Sequence, residues 1–281
     1  MPTNVKENGF ESSIVSWLVQ HNGYEQGSNA DYNKEIAMDE TRLFRFLNTT
    51  QADKMKQLRL ENDPLEKEKF LQRLDQSLHT NGVIDLLRKG FRYKHLVLDM
   101  FYVRPSSGNE TAAKLYAQNI FSVTRQLQYS RQNPLLALDV CLFLNGLPIV
   151  TMELKNQLTK QNAADAVKQY KDERTPDEVL FGFKRCIVHF AVDDNEVRMC
   201  TELKGQKSWF LPFNKGYNDG AGNPPNPDGI KTDYLWKEIL RKDDFSNIIE
   251  NYVQIICDED EETHKKSYKQ IFPRYHQLQL V

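Results

Sequence analysis

Asp139, Glu153 and Lys155 are the side chains best placed to do chemistry. Residues 138–155, LDVCLFLNGLPIVTMELK, carry them on two apolar runs joined by Asn145-Gly146. Asn-Gly between β-branched, apolar segments is a strong hairpin signal, and a charge set into such a strand is costly to bury unless it is paired or binds a metal. Register decides whether the carboxylates meet. A flush two-residue loop would set Asp139 opposite Met152 and send Asp139 and Glu153 to opposite faces. A three-residue loop through Leu147, with a left-handed glycine and a bulge beside it, sets Leu144 opposite Pro148 and Asp139 opposite Glu153, about 5 Å away. Pro148 has no N–H to give to a tight ladder and favours that looser turn. Lys155 then shares the face of Glu153.

A hard divalent cation such as Mg2+, or Mn2+ in its place, takes oxygen ligands and keeps several waters. Asp139, Glu153 and the backbone carbonyl of Leu154 would supply half its coordination shell. Such a cation acidifies water and offsets charge on phosphoryl oxygens, while Lys155 orients the nucleophile or neutralises the five-coordinate phosphorus. The expected reaction is hydrolysis of a phosphodiester. The same residues also fit an ordinary ion pair at a strand end, and E-x-K alone is a common pattern.

Positioning these groups takes a sheet with helices around it, and the hydrophobic pattern supplies both. Glu11, Ile14, Val15 and Leu18 share a helix face, and Asn22-Gly23 gives its stop. Further helices are predicted at about 40–48, 64–78 and 83–89, the last ending at Gly90. FRYKHLVLDMFYV then reads as one strand running into a turn at Pro105-Ser-Ser-Gly, and IFSVTRQLQYS as another before the Asp139 hairpin. Ala163, Val167 and Tyr170 share the apolar face of a following helix, with Lys168, Lys171 and Arg174 mostly outward. RCIVHFAVD and EVRMCTEL form a hairpin turning at Asp194-Asn195. His189, inside the first of them, is a strand residue rather than a ligand.

Residues 212–230 hold four of the thirteen glycines and four of the eleven prolines, so they form a long irregular segment. It lacks the G-x-x-x-x-G-K-[ST] pattern of a phosphate cradle and reads as a packing or docking element. Thr232 or Asp233 should cap a helix carrying Leu235, Ile239 and Leu240, with another from Phe245 through Ile256. Mixed strands among helices make an α/β fold.

With 281 residues and 40% hydrophobic content, the chain can bury a full core as one large domain or two small ones. A net charge of −2 excludes a protein that coats nucleic acid, so any such contact needs a local basic face. Cys141, Cys186, Cys200 and Cys257 show no C-x-x-C spacing and read as buried, reduced thiols. No segment reads as a secretory leader or a membrane span, which points to the cytoplasm. The acidic run at 258–262 marks a boundary, beyond which Ile271-Phe272 and Leu278 to Val281 form an apolar tail expected to be exposed or badly docked.

The blocks LDVCLFLNGLPIVTMELKN, DAVKQYKDER, FKRCIVHFAVD, FLPFNKGYNDGAGNPPNPDG and TDYLWKEIL resemble the N-terminal region of the restriction (R) subunit of type I restriction-modification enzymes. The resemblance implies a PD-(D/E)xK restriction-endonuclease-like core, a central mixed sheet flanked by helices. Asp139 matches the motif aspartate, Glu153 and Lys155 the E-x-K, and Leu138 stands where proline is usual. The family's Gln-x-x-x-Tyr motif is altered: Gln169 and Tyr170 are adjacent, and Ala166 sits four before the tyrosine. Both are carried as catalytic candidates, beside readings of Tyr170 as core and Gln169 as solvated. In this superfamily a glutamate on the first core helix often reaches the metal site. Glu11 is therefore either an outer ligand or a carboxylate that complements the helix dipole.

By the same resemblance, residues 1–257 are an endonuclease domain, and 258–281 a linker and the start of a helicase motor. Double-stranded DNA that is unmodified would be the substrate. Methyltransferase and specificity subunits would be the partners, and ATP would serve only the full-length protein, since this sequence has no phosphate-binding loop. A stand-alone repair or recombination nuclease and a non-catalytic docking module are the alternatives.

Overall fold

A computed structural model describes residues 5–156, 160–260 and 263–279. Helix α1, Val5–Gln20, ends where Gly23 takes a φ of 68°. The short β1, Glu25–Gln26, leads to a small hairpin of β2, Tyr32–Asn33, and β3, Met38–Asp39. Asp39 then caps α2, Glu40–Thr50, by accepting the Arg42 N–H at 3.0 Å. Helix α3, Ala52–Leu58, escapes the sequence reading because it buries only Met55 and Leu58. Asp63 and Pro64 start α4, Pro64–Asn81, and Gly82 and Gly90 bracket α5, Val83–Lys89. The helices expected at 40–48, 64–78 and 83–89 are therefore present.

The single strand expected over 91–103 is not. Lys94, with φ of 54°, folds the segment into β4, Phe91–Tyr93, and β5, Leu96–Leu98, a hairpin separate from the main sheet. Its rings belong to α4: Phe70 meets Phe91 and Tyr93 edge-on. Tertiary packing thus overrides the local alternation. Helix α6, Glu110–Tyr116, follows an Asn109 cap and buries no residue, so no apolar periodicity announces it.

The main sheet has seven strands in the order β1-β6-β7-β8-β9-β10-β11. Its later members are β6, Phe121–Gln128; β7, Ala137–Leu144; β8, Leu147–Leu154; β9, Val188–Val192; β10, Val197–Cys200; and β11, Leu211–Pro212. β1 with β6 and β8 with β9 are parallel, and the remaining pairs are antiparallel. Helix α7, Ala163–Glu173, lies within the crossover from β8 to β9. Both faces of the central strands are covered, and fully burying each Leu or Phe stabilises by roughly 1.5–3 kcal/mol. Val140, Leu142, Met152 and Phe190 face the larger core with Ile14 and Leu43. Cys141, Phe143 and Ala191 face a smaller one closed by Ala166 and Tyr170 of α7.

The C-terminal part departs further from expectation. Leu235–Ile239 is a π-helical turn with Tyr234 at its N-cap, and Thr232 donates instead to the Asp193 carbonyl at 2.7 Å. Helix α8, Lys242–Asn247, passes into a second π turn that ends at Tyr252, not Ile256. Arg88 accounts for the stop, donating to the carbonyls of Ile249 and Val253, each at 2.8 Å. Ile255 and Ile256 lie instead in β12, Gln254–Glu259, which pairs with β13, Lys266–Ile271.

That hairpin runs across position 258 and docks on the core through Gln270, which donates to the carbonyls of Cys186 and Ile187 at 2.8 Å. Of the acidic run, residues 261 and 262 lie outside the described residues. Only part of the apolar tail is exposed as expected, Ile271 but not Phe272. Phe272 is buried against Phe190, Phe213 and Phe245, and Leu278, at the end of α9, Tyr275–Leu278, packs on the core. Residues 280–281 lie outside the described part, and Ile271 is partly exposed. Cys141, Cys186 and Cys200 are buried thiols, whereas Cys257, expected with them, is exposed on β12.

Candidate active site

The hairpin that carries the carboxylates reaches the expected register by a different route. Its turn has two residues, not three: Leu144 pairs with Leu147, and Asn145 and Gly146 take φ of 51° and 82°. Gly146 is required there, because a Cβ would lie 2.4 Å from the Asp39 carbonyl oxygen. The compensating irregularity sits one pair further on. Phe143 pairs with Pro148 but Leu142 with Val150, which leaves Ile149 as the extra residue of a bulge. The carbonyl of Ile149 turns to accept the Ile187 N–H at 2.8 Å. Val140 then pairs with Met152 at the end of the ladder, and continuing that register brings Asp139 beside Glu153, whose carboxyl feels its charge. A 2.7 Å bond from the Leu154 N–H to Asp139 Oδ2 fixes that end of the hairpin.

Glu153 is fully buried. Its Oε1 accepts Arg174 Nε at 2.6 Å, while its buried Oε2 has no hydrogen-bond partner among the described residues. Burial and the charge of Asp139 push its carboxyl up to about 8, against the opposing influence of Arg174 and Lys155. Arg174 is 2% exposed at the C-cap of α7. It donates from Nη1 to Tyr129 Oη and from Nη2 to the Ala137 carbonyl, both at 2.9 Å. Burial works against its charge, but Glu153 outweighs this and holds the guanidinium protonated.

Asp139 is linked to a second acid. Gln126 Nε2 donates to Asp139 Oδ1 at 3.2 Å and to Glu11 Oε2 at 2.8 Å, and Glu11 Oε1 pairs with Arg125 Nε at 2.5 Å. Gln126 can bridge because the unshifted β6–β7 register sets it opposite Asp139. Arg125 pairs with Val140 and Leu127 with Leu138, and between them the φ of 46° at Gln126 interrupts the backbone ladder opposite Asp139 without shifting its register. Glu11 lies beyond the first turn of α1, so it is not a first-turn carboxylate; it stands one side chain away from Asp139.

The other candidates lie around this pair. Lys155 extends the β8–β9 ladder by donating its N–H to the Val192 carbonyl at 2.8 Å, and its charge acts on Glu153. Tyr170 is buried beneath the site, its hydroxyl 2.8 Å from Thr151 Oγ1, which is itself 2.7 Å from His189 Nδ1. Burial pulls His189 down to about 3, so the imidazole is neutral. Gln169 is half-buried, and its Oε1 has no partner among the described residues.

Arg174, Gln126 and Tyr129 escape sequence reasoning. Arg174 was expected to face outward with Lys168 and Lys171, yet it stands four residues after Tyr170 and shares that helix face. The spacing was the available signal. Gln126 and Tyr129 gave none, since the pairing of β6 with β7 positions the one and tertiary packing the other.

Asp139, Glu153 Oε2 and the Leu154 carbonyl are hard oxygen donors, and a buried carboxylate oxygen without a donor is what a divalent cation would satisfy. The donor set therefore fits Mg2+. Among the described residues no three His, Cys, Asp or Glu side chains form a ready cage, so water or a phosphate would complete the shell. No helix among the described residues is long and apolar enough to cross a membrane. A family model described as type I restriction enzyme R protein N terminus matches residues 4–208, nearly three quarters of the chain and every candidate above. No curated protein matches.

Proposed function

The chain belongs to the type I restriction enzyme R protein N-terminal family, and from that premise we propose that it is the Mg2+-dependent endonuclease domain of an R subunit, hydrolysing phosphodiesters of unmodified double-stranded DNA in the cytoplasm. In this reading residues 1–257 form the nuclease and 258–281 lead into an ATP-driven motor that moves DNA before it is cut. Methyltransferase and specificity subunits choose the site. One observation carries the proposal: the Ile149 bulge sets Asp139 beside Glu153, whose buried Oε2 is left open.

Asp139, Glu153 and the Leu154 carbonyl would hold the cation, with Glu11 behind them through Gln126. When bound, Mg2+ supplies Lewis acidity to the phosphoryl oxygens and lowers the pKa of water. Lys155 brings a positive charge to the same strand end, where charge develops on the phosphate. Tyr170 holds the β8 backbone beneath Glu153 through Thr151, and Gln169 offers a polar head from α7.

The test is made in the assembled complex. Asp139→Ala, Glu153→Ala and Lys155→Ala should abolish double-strand cleavage while ATP hydrolysis and translocation continue. Intact cleavage in an assembled variant complex would end the nuclease assignment. Loss of ATP turnover instead would make the acidic cluster a structural coupler between subunits.

A further inference from the structure

We propose that Arg174 determines which divalent cation the Asp139–Glu153 pair accepts, by occupying Oε1 of Glu153 and limiting that carboxylate to coordination through Oε2 alone. The inference rests on the cation-binding reading above and adds a specificity-determining residue to it.

The guanidinium is held as a fixed part of the fold. It contacts β8 through Glu153, the end of β7 through the Ala137 carbonyl, and the segment after β6 through Tyr129, whose ring it also covers at 5.2 Å. Among the described residues its one further ion pair is to the half-exposed Glu173 at 3.5 Å. A planar fork tied at three points loses little freedom and does not swing aside. Glu153 is equally confined, being fully buried with Oε1 2.6 Å from Arg174 Nε. A cation arriving from the Asp139 side therefore meets one oxygen of this carboxylate.

That difference separates cations. Ca2+ takes about six to eight oxygens and commonly binds a carboxylate through both of its own, whereas Mg2+ demands a compact octahedron that single oxygens and water satisfy. A glutamate clamped at one oxygen suits Mg2+ or Mn2+ and disfavours Ca2+. Freeing Oε1 should relax the preference.

Calorimetric titration of the 281-residue chain with MgCl2, MnCl2 and CaCl2 tests this. Near-ultraviolet circular dichroism checks that each variant is folded. The chain as it stands should bind Mg2+ and Mn2+ in preference to Ca2+. In Arg174→Met the Ca2+-to-Mg2+ affinity ratio should rise about tenfold or more, while Arg174→Lys, whose ammonium still reaches Oε1, should stay near the original ratio. If Arg174→Met fails to fold, Arg174→Gln, which keeps a polar head in the layer, is held to the same expectation. A folded Met or Gln variant with an unchanged ratio overturns the inference and leaves Arg174 a structural residue. Failure of the unaltered chain to bind any of the three cations overturns the cation reading itself, and this inference with it.

Discussion

The β7–β8 hairpin has buried charge at both ends, and the two ends are finished differently. At the turn, Asp39 donates its N–H to the Gly146 carbonyl, and Arg42 beside it pairs with Asp39 at 2.7 Å, Glu25 at 3.1 Å and Asp31 at 3.3 Å. Both oxygens of Asp39 are taken, and Arg42 Nη2 also donates to the Gln26 carbonyl. At the open end, Arg174 meets Glu153 with equally good geometry, yet Oε2 of that glutamate is buried without a donor among the described residues. A buried polar atom left unsatisfied carries a desolvation penalty of about 1–3 kcal/mol. A closed network fastens the chain. An open one leaves an oxygen that the proposed cation would satisfy.

The sharpest way to break this contrast is to disable one end at a time. Glu153→Ala in the assembled complex should lower cleavage by about 100-fold or more. Arg42→Met should leave cleavage per folded molecule unchanged. A cleavage assay normalised to folded protein reads both, and an Arg42 variant as inactive as Glu153→Ala would erase the distinction.

Stability should show the reverse. Arg42→Met leaves the buried Asp39 without its cation, while Glu25 keeps Arg45 and Asp31 keeps Ser28, and should cost about 3–5 kcal/mol in urea unfolding. Glu153→Gln, which keeps the shape of a buried side chain already short of one partner and whose carboxyl is pushed up to about 8, should change stability by less than about 1 kcal/mol. Equal losses in the two variants would mean that Glu153 is a structural ion-pair member like Asp39.

Acid should separate the ends by pH. His189 lies in the layer beneath Glu153 and is pulled down to about 3 by burial, so the folded state refuses a proton that the unfolded chain accepts from about 6.5 downward. Its contribution is complete above that value and is lost as pH falls, at about 1.4 kcal/mol per unit and roughly 2–3 kcal/mol by pH 4.5. Glu25 and Asp31 stay below their ordinary values, each held against its own burial by hydrogen bonds and by Arg42; Arg45 joins it at Glu25 and Ser28 at Asp31. Their support is lost only in stronger acid. Asp39, raised by burial, partly opposes them. Glu153, raised to about 8, takes up its proton first in the folded state and opposes His189 over this range, so unfolding curves recorded from pH 7 to 4 should lose about 1.4 kcal/mol per pH unit of acid-side slope in His189→Asn and keep it in Arg42→Met.

How much of this was legible beforehand follows from the range of the forces involved. Asn145-Gly146, the Asp63-Pro64 start of α4 and the stop at Gly90 act within a few residues, and each stands where the sequence places it. The meeting of Asp139 and Glu153 was also foreseen, but through a three-residue turn. The bulge at Ile149 depends on the Ile187 N–H, which belongs to the far side of a crossover. Arg174 was hidden by its polarity, since a charged residue late in a helix ordinarily points to water. Its partners, Tyr129 and the Ala137 carbonyl, meet it only after the sheet forms. The C-terminal hairpin was misread as helix and exposed tail because Arg88, Phe190 and Phe213 decide its course from a distance.

The smallest expected effect is the most direct test of Glu153 Oε2 as a cation ligand. A cation that binds only the folded chain stabilises it by RT ln(1 + [L]/Kd), about 1.4 kcal/mol at ten times Kd. Mg2+ or Mn2+ should therefore raise the thermal midpoint of the unaltered chain and of Arg42→Met by similar free energies, because the closed network offers the ion nothing. The same addition should leave Glu153→Ala and Asp139→Ala where they were. Scanning calorimetry at several cation concentrations distinguishes this site effect from general salt screening, which would move all four proteins together. A uniform shift would mean that the unsatisfied oxygen at the open end is not where the cation goes, and the difference between the two ends would lose its functional meaning.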